Sequence, residues 1–96
     1  MPSKEDIEEL AECLKVLAHP VRIRILRELK GRSVCVNDLS EKIGTSQANV
    51  SQHLSVLRYQ GWIKRRKEAL HSYYFLSNKD ISSALEKICE IISQFE

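Results

Sequence analysis

Glycine and proline are scarce, three and two in 96 residues, and aromatic side chains make up 6%. So little turn chemistry excludes a collagen-like or low-complexity chain, and 43% hydrophobic with 29% charged residues excludes a disordered one. Apolar runs are a few residues long, against the ~20 that a membrane-spanning helix needs. The three cysteines, Cys13, Cys35 and Cys89, lie far apart with no C-x-x-C pair. An odd count with no signal peptide points to a reducing cytoplasm and away from a disulfide scaffold. No Gly-rich phosphate cradle is present, and no cysteine is bracketed with a base on a loop, so an enzyme is not expected. A large net charge is also missing, at +2.

What charge there is has been sorted along the chain. Residues 1–15 carry two basic and five acidic side chains, net −3, and residues 78–96 carry two and four, net −2. Residues 16–77 carry eleven basic and four acidic, net +7. A basic middle between acidic ends fits a middle that faces phosphates; a solvated charged surface is the plainer alternative. A chain this small buries only ~60–65% of its extended surface, so self-association would help it.

Hydrophobic spacing predicts helices. Ser3 to Asp6 gives an S-x-x-D capping pattern, and Ile7, Leu10, Cys13, Leu14 and Leu17 then follow on one face. His19-Pro20 ends that helix and opens another, with Val21, Ile25, Leu26 and Leu29 as its stripe and Gly31 as its stop. Ser33–Val36 suits one brief strand. Asn37 is the expected N-cap of a short helix through Leu39 and Ile43, ended by Gly44. Thr45 or Ser46 caps the next, from about Ser46 to Gln60. Two helices joined by a turn containing Gly make a helix-turn-helix, at about 37–60.

The second of these helices carries the functional signal. At about 100° per residue, Val50, Leu54 and Leu57 cluster as a core face. Ala48, Gln52, Ser55 and Tyr59 lie opposite, flanked by Asn49 and Ser51. A solvent face ordinarily carries Glu and Lys; this one is short, uncharged and rich in donors and acceptors, which suits base edges in a major groove. Gln47, Ala48, Asn49, Ser51, Gln52 and Ser55 are the candidate base readers. His53 falls nearer the apolar edge, where packing or a phosphate contact is expected.

After Gly61, Trp62–Lys67 reads as a strand, Glu68–His71 as a turn and Ser72–Leu76 as an aromatic-rich return strand, a wing at about 62–76. The turn has no Gly, so a longer, looser tip is expected. Ser46, Arg58, Lys64, Arg65, Arg66, Lys67 and His71 are the candidate phosphate contacts, which position a protein without specifying sequence. For a basic strand the alternative is an edge guarded against aggregation. Replacing Gln52 should relax sequence preference; replacing Arg66 should weaken binding to every sequence. Ser77–Asp80 caps a last helix in which Ile81, Leu85, Ile88, Ile92 and Phe95 recur like a coiled-coil seam. The terminal helices, about 4–17 and 78–95, are expected to form a homodimer interface; padding of the monomer core is the alternative. A dimer sets two reading helices about 34–36 Å apart on a roughly palindromic duplex.

Leu17-Ala18-His19-Pro20-Val21-Arg22-Ile23-Arg24-Ile25-Leu26 resembles the opening signature of ArsR/SmtB-type winged-helix repressors. Ser46–Leu54 resembles their recognition helix, and Leu57-Arg58, Gly61 and Tyr73-Tyr74 resemble the approach to their wing. The resemblance spans about residues 5–95. It implies a mainly α fold with a small β-hairpin, a winged helix-turn-helix ordered α1-α2-α3-α4-β-β-α5. It also implies a homodimeric repressor of transcription that an inducer, often a soft metal ion or metalloid, releases from duplex DNA. The sensor is where this chain departs. The C-V-C-D-L box of the family's arsenic- and cadmium-responsive members reads Cys35-Val36-Asn37-Asp38-Leu39 here, with one thiol of the two. Soft-ion sites use about three or four ligands. The last helix has no His, and His19, His53 and His71 are dispersed, each with a plain reading as cap, packing or wing residue, so no metal ligands are assigned. Cys13, Cys35 and Cys89 remain candidates for a thiol or metalloid sensor, against the alternative of small buried hydrophobes. Two rival functions stand beside an inducible repressor: a winged-helix protein-interaction module without an inducer, and a DNA-binding regulator that needs no effector. The first would have lost the polar side chains of the reading helix, and they are present.

Overall fold

In this computed structural model, which describes residues 4–95 and side chains from Asp6 onward, five helices and three strands follow in order. They are α1 (Lys4–Leu17), α2 (Pro20–Glu28), β1 (Val34–Cys35), α3 (Val36–Ile43), α4 (Gln47–Tyr59), β2 (Ile63–Glu68), β3 (His71–Leu76) and α5 (Asp80–Ser93). The Ser3 cap expected for α1 lies outside the described residues. The strands form one antiparallel sheet in the order β1-β3-β2.

The core is built where the apolar spacing placed it. Ile25 and Leu26 of α2, Leu39 of α3, and Val50, Leu54 and Leu57 of α4 are completely buried. Ile63 and Tyr74 close the core from the sheet side, and Leu17 from the end of α1. Burying each such Leu or Ile contributes about 1.5–3 kcal/mol, so this cluster holds α2, α3 and α4 together. Gly44 ends α3 at φ +84°, a left-handed conformation that glycine takes without penalty. That turn brings Ser46 round to cap α4.

Three local expectations are corrected. Asn37 does not cap α3. Val34 and Cys35 pair with Tyr74 and Tyr73 of β3, and the extended Cys35 (φ −85°, ψ 165°) becomes the N-cap without a side-chain bond. The helix therefore starts at once, and Asn37 falls inside its first turn. Nor does Ser77 cap α5: its hydroxyl donates to the carbonyls of Gly61 at 2.6 Å and Trp62 at 3.0 Å, closing the base of the hairpin. Asn78 accepts from Asp80 N–H at 2.8 Å, and Lys79 takes the cap position without a side-chain bond. The wing tip is tight, not loose. Cross-strand pairing runs from Ile63↔Leu76 to Glu68↔His71, leaving Ala69 and Leu70 to make the turn. Ala69 sits at φ +53°, which costs a non-glycine residue about 1–2 kcal/mol; the six-pair register outweighs that cost.

The terminal helices are only half used. Ile81 and Leu85 of α5 pack on the core, and Lys30, just beyond α2, pairs with Glu86. Further along, Ile88, Ile91, Ile92 and Phe95 are exposed, as are Ile7, Leu10 and Leu14 of α1.

Candidate nucleic-acid interface

Helix α4 is pinned at its start by Ser46, whose hydroxyl accepts from Asn49 N–H at 3.1 Å. The sequence offered Ser46 both as the cap of this helix and as a phosphate contact, and its hydroxyl oxygen makes the cap. Val50, His53, Leu54 and Leu57 bury the inner side of the helix. Gln47, Ala48, Ser51, Gln52, Ser55 and Arg58 are exposed. Every one of these except Arg58 is uncharged, so the surface is a neutral donor–acceptor strip with one guanidinium near its end.

The candidate readers divide into two groups. Ser51, Gln52 and Ser55 make no side-chain hydrogen bond within the protein among the described residues. Their amide and hydroxyls are free to meet a ligand. Gln47 and Asn49 are engaged. Gln47 Nε2 donates to Asn37 Oδ1 at 2.8 Å, across the helix-turn-helix. Half-buried Asn49 donates Nδ2 to Thr45 Oγ1 at 3.0 Å, back into the turn. These two stiffen the frame in which Ser51, Gln52 and Ser55 are presented. Tyr59, 88% exposed, stands on the same side as Ala48, Gln52 and Ser55 and is missing from the base readers chosen by sequence. Its place on that helical face was the available signal.

The basic strand also divides, by the alternation of a β-strand. Ile63 is buried against the core, and Arg65 faces the buried Tyr74 across the ladder, so Arg65 and Lys67 continue the core side of the hairpin. β2 packs against α4. Lys64 and Arg66 belong to the opposite side, with Phe75 and Tyr73 as their partners. Arg66 is further occupied: its Nε donates to Glu68 at 2.8 Å, and its guanidinium lies 5.9 Å from the centres of both the Tyr73 and Phe75 rings. Lys64, Arg65, Lys67 and Arg58 have no acidic partner among the described residues. His71 is exposed at the start of β3, with its ring 6.5 Å from that of Tyr73.

The three cysteines sit on three elements: Cys13 half-buried on α1, Cys35 half-buried on β1, Cys89 exposed on α5. Among the described residues no three His, Cys, Asp or Glu side chains come together to hold a metal ion. His19 caps α2 by accepting from Val21 N–H, and His53 is buried beneath α4, where burial above all, then the charges of His19 and Arg22, lower its pKa below the usual 6.5. Among the described residues no helix is long and apolar enough to cross a membrane.

Residues 19–65 match the family described as bacterial regulatory protein, arsR family. The nodulation protein NolR of Rhizobium meliloti is 37% identical over 87 residues, which cover 91% of this chain and 71% of that protein. Among solved structures, HlyU from Vibrio cholerae matches with a TM-score of 0.82 at 30% identity, covering 96% of this chain and 100% of that one. The transcriptional repressor BigR from Xylella fastidiosa matches at 0.77 and 31% identity, covering 98% and 99%.

Proposed function

The chain belongs to the arsR family of bacterial regulatory proteins, winged-helix DNA-binding regulators of transcription and not enzymes, and from that premise we propose that it is a homodimeric repressor. In this reading α4 enters the major groove of a roughly palindromic operator. Gln52, Ser51 and Ser55 read base edges, Ala48 lies close to the bases, and Gln47 and Asn49 hold the frame while offering their carbonyl oxygens. Arg58, Arg65, Lys67 and Lys64 take backbone phosphates; Ser46, Arg66 and His71 lie within the same footprint. The observation that carries the reading is the free, uncharged polar strip of α4, followed in the chain by a basic hairpin whose Lys64, Arg65 and Lys67 have no acidic partner among the described residues.

The dimer is supported by the exposed apolar side chains of α1 and α5, Ile7, Leu10 and Leu14 on one and Ile88, Ile91 and Ile92 on the other. An inducer acting through a soft ion or thiol oxidation would draw on Cys13, Cys35 or Cys89. Among the described residues no three metal-binding side chains meet, so a three-ligand soft-ion site is placed between two protomers in this reading; oxidation of a thiol needs no such cluster. The test is selection of bound duplexes from a random pool, followed by gel-shift titration with and without As(III), Cd(II), Zn(II) and peroxide. An enriched inverted repeat supports the reading. Binding without any sequence enrichment rejects a sequence-specific repressor. Operator release by none of the additives rejects the thiol and metal route and leaves an effector-independent regulator.

A further inference from the structure

His53 is the one polar side chain that α4 turns into the core. Its Nδ1 accepts from Arg22 Nε at 3.1 Å, 31 positions away along the chain. The same guanidinium donates through Nη1 to the Val16 carbonyl at 2.9 Å, in the last turn of α1. His19, which caps α2 through its own Nδ1, lays its ring 4.3 Å from the ring of His53. One arginine on α2 thus holds the end of α1 with one donor and the middle of α4 with another.

We infer that Arg22 and His53 form a latch that sets the reading helix against α1 and α2, with Arg22 as the positioning residue. The inference rests on the reading of α4 as the DNA-reading element. Apolar packing by Val50, Leu54 and Leu57 buries α4 but leaves its rotation and slide to the fit of side chains. A directed pair of bonds from a planar guanidinium is far more restrictive, and a lysine cannot reproduce it. The latch also ties α4 to α1, so a shift of α1 is passed to the reading face through a single side chain.

The chemistry makes the latch conditional on protonation. To accept from Arg22, His53 must keep Nδ1 free and be neutral. Protonation removes that acceptor and sets a cation against Arg22 and His19, whose charges bear on His53. From α1 the cluster receives a carbonyl, that of Val16. Burial and those two charges hold the His53 pKa below 6.5, so the latch is closed at neutral pH and opens on acidification.

The test compares operator affinity of wild type, His53→Asn and Arg22→Lys from about pH 8 to about pH 5, the span over which His changes charge. Asn at position 53 keeps an acceptor near the place of Nδ1 and does not titrate. His53→Asn is expected within about twofold of wild type at neutral pH, while wild type loses about tenfold more affinity on acidification than His53→Asn. Arg22→Lys keeps the charge and is expected to bind about tenfold more weakly at neutral pH. Identical pH profiles for wild type and His53→Asn overturn the latch. Hydrogen exchange on the DNA-free protein gives a second arm: Arg22→Lys should speed exchange in α4 while leaving α3 protected. Unchanged protection in α4 overturns the latch whatever the DNA result. Failure of wild type to bind any duplex counts against the DNA reading alone, and the exchange arm then decides the latch.

Discussion

Gln47 of α4 donates its side-chain amide to Asn37 of α3 at 2.8 Å, so a residue on the exposed face of α4 is also a strut of the helix-turn-helix. An exposed hydrogen bond of this kind contributes about 0.5–1.5 kcal/mol net. Gln47→Ala and Asn37→Ala should therefore lower operator affinity by similar small factors, and the double variant should cost little more than either. Gln52→Ala removes an amide left free by the protein, and if the proposed readout holds it should relax base preference by about 1–3 kcal/mol. A double-mutant cycle on DNA binding checks the pair. Additive losses at Gln47 and Asn37 would show that Gln47 contacts a base independently of its strut.

The four-residue basic run is not one electrostatic unit. Arg65 and Lys67 share the core side of the hairpin with Tyr74, while Arg66 is drawn to Glu68 and the Tyr73 and Phe75 rings on the other. A cation that neutralises one phosphate contributes about 0.9 to the slope of log affinity against log salt, so its removal should flatten that slope by the same amount. Arg65→Ala and Lys67→Ala are each expected to do so. Arg66→Ala should change the slope less and instead loosen the hairpin. Salt titrations of the three variants decide it, and a larger slope change for Arg66 than for Arg65 would reverse the assignment.

Stability should also depend on His53. Well above pH 6.5 neither the folded nor the unfolded chain protonates this ring, so it adds no pH dependence. Below 6.5 the unfolded chain binds a proton that the folded chain, with its lowered pKa, resists; stability is therefore lost as the pH falls. Each kcal/mol lost lowers Tm by about 4–8 °C in a domain of this size. Thermal melts of wild type and His53→Asn from neutral to acid pH should diverge, with wild type falling further. Parallel curves would mean that the ring titrates alike in both states.

Much of this arrangement was legible because it is periodic. Val50, Leu54 and Leu57 recur at helical spacing and are completely buried, and Gly44 ends its helix where a left-handed residue is required. The errors came where partners distant in sequence override local rules. Asn37 is the better cap by residue type, yet pairing of Cys35 with Tyr73 moves the helix start ahead of it. A tip lacking glycine reads as loose until the register of β2 with β3 leaves only Ala69 and Leu70 to make the turn. The bond from Arg22 to His53 spans 31 positions and has no local signature beyond a histidine falling near an apolar edge. The division of the basic strand needed to know which face Ile63 buries.

Exposed apolar side chains at both ends of the chain make the dimer the most exacting prediction. On α1, Ile7, Leu10 and Leu14 are about half exposed, and on α5 Ile92 and Phe95 are 54% and 69% exposed. Leaving such side chains in water forgoes about 1.5–3 kcal/mol for each that could be fully buried, a strong drive to pair. Ile92→Glu would place a carboxylate in that interface without touching the core, since Ile92 contributes nothing to the buried cluster. Sedimentation should show two chains for wild type and one for Ile92→Glu, with an unchanged circular dichroism spectrum. Operator affinity should fall with the dimer, because a single reading helix engages only one half-site. A wild type that sediments as one chain yet binds an inverted repeat at full affinity would remove the terminal helices from the interface. The exposed apolar residues would then need another partner.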